Sequence, residues 1–157
     1  MGRLRHFDKT GKSKMVDTTG KKHSLREAKA QAVVILNKKI LELIVKNKIE
    51  KGNVLEVAKI AGVFACKKTS FDIPFCHPLQ ISHVDINFDI NHDLSVIKIE
   101  TIVKANERTG VEMEALNAAA TTALTIYDMC KSIDKTICIT DIKLLEKRVG
   151  KKVEKFY

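Results

Sequence analysis

The chain has 157 residues, enough for one compact core and too few for two well-buried ones. Hydrophobic residues make up 45% of it, which excludes disorder as the main state; with no tryptophan and 5% aromatics, the core must rest on Ile, Val, Leu and Ala. Lys and Arg number 28 against 19 Asp and Glu, a formal net charge of +9 that favours an anionic partner without choosing among nucleotides, nucleic acid and anionic membrane.

Along the chain, residues 1–23 are charged and punctuated by glycine, and only Met15-Val16 suggests a short strand. Ser24 with Glu27 three places on reads as a capping box. Behind it Val33, Leu36, Ile40, Leu43 and Ile44 recur at helical spacing, predicting a helix to about Val45. A loop through Gly52 follows. Asn53 with Glu56 then caps a short helix through Ala58, Ala61 and Ala65. Pro74 and Pro78 bracket Phe75-Cys76-His77 in a rigid extended turn, since prolines so close fix torsions and remove two amide donors.

Val84, Ile86, Phe88 and Ile90 alternate with polar residues as in a half-buried strand. Asn91-His92-Asp93 turns the chain, and Ile97, Ile99 and Val103 return it as a hairpin. Gly110 breaks the chain before a helix over roughly Glu112–Ser132. Thr136–Leu145 is β-like, with a bulge-like slip near Thr140-Asp141. The order strand, helix, strand, strand, helix, strand predicts an α+β fold. It is a ferredoxin-like sandwich, a four-stranded antiparallel sheet with two long helices on one face plus a short inserted helix. A single domain covers 1–157, with flexible ends at 1–14 and 148–157.

The four cysteines, Cys66, Cys76, Cys130 and Cys138, form no C-x-x-C pair and no dense disulfide framework, so reduced thiols in a cytoplasm are the simplest reading. Met1–Asp17 lacks the apolar stretch of a signal peptide. The apolar runs fall short of a membrane span.

Several segments have the residue types that chemistry uses, each with a plainer alternative. His77 is either a solvated loop histidine or one pre-positioned by its prolines to donate, accept or shuttle a proton. Glu112 and Glu114 at a helix N-terminus fit simple capping as well as a pocket. Asp128 and Lys131 fit a surface ion pair or a carboxylate polarising a lysine. Glu114 and Asp128 lie at similar angles on one helix but roughly 21 Å apart at about 1.5 Å per residue. One chain therefore cannot bring both to one reacting bond. Lys51 occupies a glycine-containing loop, and Arg26, read in the first turn of the first helix, is electrostatically misplaced there. No phosphate-binding P-loop, H-E-x-x-H or zinc-spaced Cys/His set is present, and the stacking aromatics of an RNA-binding sheet are missing.

Four stretches together resemble the molybdenum cofactor biosynthesis protein C family, the cyclic pyranopterin monophosphate synthases. They are Met15-Val16-Asp17; Lys51-Gly52-Asn53-Val54 into Ala58-Lys59-Ile60-Ala61-Gly62; Ile73-Pro74-Phe75-Cys76-His77-Pro78-Leu79; and Thr109-Gly110-Val111-Glu112-Met113-Glu114-Ala115-Leu116, continuing to Leu124–Lys131. The resemblance implies a lyase that converts 3′,8-cyclo-7,8-dihydroguanosine triphosphate to cyclic pyranopterin monophosphate and diphosphate. It implies catalytic Asp128, Lys51 and Lys131; lysines lowered in pKa by burial near carboxylates would meet the reaction's need for proton transfer and positive charge. It places Phe75, Cys76, His77, Glu112, Met113 and Glu114 against the substrate, and assigns Arg26 and Lys147 to the triphosphate. It also implies a homohexamer, a trimer of dimers with the active site at the dimer interface. Neither nucleic acid nor membrane is a partner. The sequence requires no cofactor, and Mg²⁺ bound with the triphosphate is compatible with it, since Mg²⁺ binds mainly through phosphates and water.

Phe75 departs from the leucine expected there, and the stretch Arg148–Lys152 is more basic than the family's small tail. The alternatives are a basic ferredoxin-like nucleotide- or RNA-binding protein without catalysis, a cyclohydrolase-like enzyme, and a family member that has lost its activity.

Overall fold

The structure, a computed structural model, describes residues 10–156; of the N-terminal end, 1–9 lie outside the described residues. The chain runs β1 (Ser24–Ile35), α1 (Lys38–Val45), α2 (Val54–Asp72), β2 (Ile81–Asn91), β3 (Val96–Glu107), α3 (Glu112–Cys130), β4 (Cys138–Val149) and β5 (Lys152–Lys155). The strands form one antiparallel sheet in the order β2-β3-β1-β4-β5. The fold is therefore α+β, with five strands where four are expected; β5 adds an edge beside β4.

The sheet buries one face under α2 and α3. Ala28, Ala30, Ala32 and Val34 of β1 and Ile97, Ile99, Val103 and Ala105 of β3 are buried there. Each large aliphatic side chain so placed contributes roughly 1.5–3 kcal/mol. Thr101, fully buried among them, donates its hydroxyl to the Ala115 carbonyl at 2.8 Å and so fastens β3 to α3. Gly62 lets α2 close on α3: a Cβ there would run into the Thr122 hydroxyl and stand 2.6 Å from Ile86 Cδ1. The other face carries charge across the strands, as where Lys104 Nζ meets Glu27 at 3.1 Å.

Two expectations fail at the N-terminus. Ser24–Ile35 is the central strand β1, not a helix, and only Lys38–Val45 of the expected segment is helical. The apolar residues counted at helical spacing straddle a junction at Asn37, whose side chain accepts from Ile40 N at 2.8 Å and starts α1. The strand's own signal is the period-two run Ala28, Ala30, Ala32, Val34, disguised because alanine favours helices. Glu27 caps no helix and Arg26 lies in a strand, so the argument from helix polarity lapses. Met15-Val16 is not a strand either. The strand-helix-strand order survives because β1 takes that place and the short inserted helix is the 19-residue α2, capped at Asn53 as expected. The hairpin, α3 and the bulge stand as read: the β1/β4 register slips between Gln31 and Val33, opposite Asp141 at φ 51°.

Candidate active site

Two connections meet at the N-terminal end of α3. After α2, Cys76 N donates to Ile73 O at 3.0 Å and the two prolines hold the next residues extended. After β3, Arg26 donates from Nε to Glu107 O at 3.0 Å and from Nη2 to Arg108 O at 3.2 Å, fixing the connection to α3. The Glu107 carboxylate, accepting from Gln80 N at 3.1 Å, ties the two together.

Between them lies a cavity of about 360 Å³. Phe75, Cys76, His77, Glu112, Met113 and Glu114 all line it. Glu112 Oε1 stands 3.7 Å from Lys147 Nζ, which also meets Glu154 of β5 at 3.2 Å. Sequence reasoning assigned no role to Val16, Lys21, Leu79 or Thr109, which line the same cavity. The segment bearing Val16 and Lys21 has no periodicity; a tertiary bond places it, from His77 Nε2 to Val16 O at 2.8 Å.

Glu114 is 4% exposed, and burial, with the Glu112 carboxylate adding to it, pushes its carboxyl up to about 7. It can therefore hold or release a proton near neutrality. Burial, and then Glu114, also raises the Cys76 thiol, which favours an apolar wall over a nucleophile there. All four cysteines are free.

The second cluster sits at the far end of α3. Lys131 Nζ lies 2.6 Å from Asp128 Oδ1. Lys51 Nζ donates to the Asp128 carbonyl at 2.9 Å and stands 3.8 Å from Oδ2. The hydrogen bond and charge of Lys131, followed by Lys51, hold the Asp128 carboxyl below its usual range. Lys131 moves the opposite way from the expected burial-lowered lysine: half-exposed and bonded to Asp128, its ammonium is held above the ordinary range. In one chain the nominated residues thus form two groups. Lys51, Asp128 and Lys131 lie at one end of α3; the cavity residues lie at the other, with Arg26 and Lys147 beside them.

Residues 15–150 match the model of the MoaC family. The chain belongs to the MoaC family. Curated family members include a cyclic pyranopterin monophosphate synthase of Desulfitobacterium hafniense, 51% identical over 148 residues, 94% of this chain and 90% of that one. Those of Heliobacterium modesticaldum and Bacillus thuringiensis subsp. konkukian, under the same name, are 46% and 48% identical, each over 96% of this chain and 95% of theirs. The matched span takes in both clusters and the segment with Val16 and Lys21. Among the described residues no helix is long and apolar enough to cross a membrane, and no group of three His, Cys, Asp or Glu side chains could hold a metal ion.

Proposed function

We infer that this chain is a cyclic pyranopterin monophosphate synthase of molybdenum cofactor biosynthesis, a lyase acting on 3′,8-cyclo-7,8-dihydroguanosine triphosphate. The observation that carries the reading is the gathering of His77, Glu112, Met113 and Glu114 around one cavity in a chain that matches this family over nearly its full length. Ring opening and rebuilding need several proton transfers. Closure of the α-phosphate onto the sugar-derived carbons breaks its bond to the departing diphosphate, so negative charge builds where cations must meet it.

Lys51 and Lys131 serve as acid and base, and Asp128 orients Lys131. Because Asp128 keeps Lys131 protonated, Lys131 gives a proton before it takes one. Arg26 and Lys147 lie on the triphosphate's path. Mg²⁺ enters as the triphosphate's companion, held by phosphate oxygens and water.

The site is completed by a second copy. Its halves lie at opposite ends of α3, and α2 and α3 leave Val57, Ile60, Phe64 and Leu124 exposed, an apolar surface that supports association. A hexamer built from dimers, with the site at the dimer interface, accounts for both features. Without α1 and β5, the order β2-β3-β1-β4 with a helix on each crossover supports a ferredoxin-like sandwich. Four free thiols fit a reducing cytoplasm.

The test is turnover of the cyclised dihydroguanosine triphosphate by purified protein, following diphosphate release and pterin fluorescence after oxidation. Both products should appear in step and vanish in Asp128→Ala. A folded oligomer yielding neither overturns the reading.

A further inference from the structure

The bond between His77 and Val16 limits what the histidine can do. A backbone carbonyl only accepts, so at 2.8 Å the hydrogen must sit on Nε2. A neutral imidazole has a single N–H, which leaves Nδ1 as a bare acceptor. No hydrogen bond to Nδ1 is found among the described residues, the ring lines the cavity, and Asp17 acts on it only through charge. The segment that supplies the carbonyl is itself held in shape. Thr19 N donates to Asp17 Oδ1 at 2.8 Å and Lys21 N to Thr18 O at 3.0 Å, a turn that sets Val16 and Lys21 as cavity wall.

We propose that the Val16 carbonyl is a positioning group for His77. It fixes the Nε2–H tautomer and presents Nδ1 to the substrate as a hydrogen-bond acceptor. The group that His77 recognises is then an N–H or O–H donor of the heterocycle or sugar, not a phosphate oxygen, which offers no hydrogen at neutral pH. Of the charged side chains on this wall, Lys21 is the one suited to a phosphate, while Glu112, Glu114 and the imidazole acceptor together suit a donor-rich ring edge. The proposal rests on the cavity being the substrate site. The tautomer itself is a property of the free protein and is tested without turnover.

In full-length protein labelled with ¹⁵N-histidine, the His77 signals are assigned by their loss in His77→Asn. In the neutral ring they should show hydrogen on Nε2 and none on Nδ1, and the cyclised triphosphate should shift Nδ1. A second comparison uses the amides. Asparagine places its oxygen near the Nδ1 position, whereas glutamine reaches the Nε2 position. Both variants should raise KM: His77→Gln, which keeps a donor toward Val16 but has no acceptor at the Nδ1 position, by about tenfold, and His77→Asn, which keeps an acceptor there but loses the bond to Val16, by less. An Nδ1–H or doubly protonated ring in the free protein, or glutamine outperforming asparagine, overturns the proposal. Absence of turnover in the unmodified enzyme would instead overturn the synthase reading and leave the tautomer to the spectrum.

Discussion

Lys131 Nζ stands 2.6 Å from Asp128 Oδ1, three residues back along α3, and this pair sets the charge of the lysine cluster. Since Asp128 holds the Lys131 ammonium above its ordinary range, Asp128→Asn removes the cause and lets that group titrate at lower pH. The alkaline limb of the kcat profile should move downward in the variant. Lys131→Ala and Lys51→Ala should each lose about a hundredfold or more in kcat. All three side chains are largely exposed, so melting temperatures should shift by less than about 2 °C. Full turnover in both alanine variants would remove the lysines from the chemistry.

Glu114 predicts how stability varies with pH. Its carboxyl is raised from 4.5 to about 7 in the folded chain, which therefore binds its proton more tightly than the unfolded chain does. Stability must fall as pH rises from about 4.5 to about 7 and level off above, by an upper bound of about 3 kcal/mol. Urea midpoints measured from pH 5 to 8.5 should show this decline in the unmodified chain and a much flatter line in Glu114→Gln. Parallel curves would mean that the carboxyl is not so perturbed.

Gly62 predicts a packing defect. Alanine there brings its methyl against the Thr122 hydroxyl, Ile86 Cδ1 at 2.6 Å and the Ala118 carbonyl at 3.1 Å, two of them on a neighbouring helix. Separating α2 from α3 should cost about 1–3 kcal/mol, read as a melting temperature lower by about 5 °C.

Gly110 predicts the reverse pattern. The three atoms nearest a Cβ there all belong to the Glu112 carboxylate, with Cδ at 2.6 Å, the free end of a flexible side chain. Gly110→Ala should leave the melting temperature within about 2 °C while moving Glu112 away from Lys147 and raising KM. A large loss of stability with unchanged KM would contradict this.

What the sequence discloses follows physical lines. β2 and β3 alternate large aliphatic residues with charged ones, so their period is visible, and Pro74, Pro78 and Gly110 mark the connections that carry His77 and Glu112. β1 hides because its inward residues are alanines, small enough to pass beneath α3 and favourable to helix when counted singly. α2 extends past Ala65 through Cys66 and Thr69, small buried residues against α3 with no strong apolar stripe to announce them. Val16 and Lys21 enter the cavity wall through a bond to a residue 61 positions away, which no local pattern encodes. The direction in which Lys131 shifts is not legible in the sequence, because exposure and the contact with Asp128, not burial, decide it.

The separation of the two clusters along α3 has a genetic consequence. A chain whose cavity is disabled by combined changes at His77, Glu112 and Glu114 keeps an intact lysine end, and a chain disabled at Lys131 keeps an intact cavity. Each protein alone should be inactive. Denatured together and refolded, about half of the proposed dimers in a random mixture pair one chain of each kind. One of the two sites in such a pair then joins a sound cavity to a sound lysine cluster, and two dead alleles complement each other at up to about a quarter of normal activity.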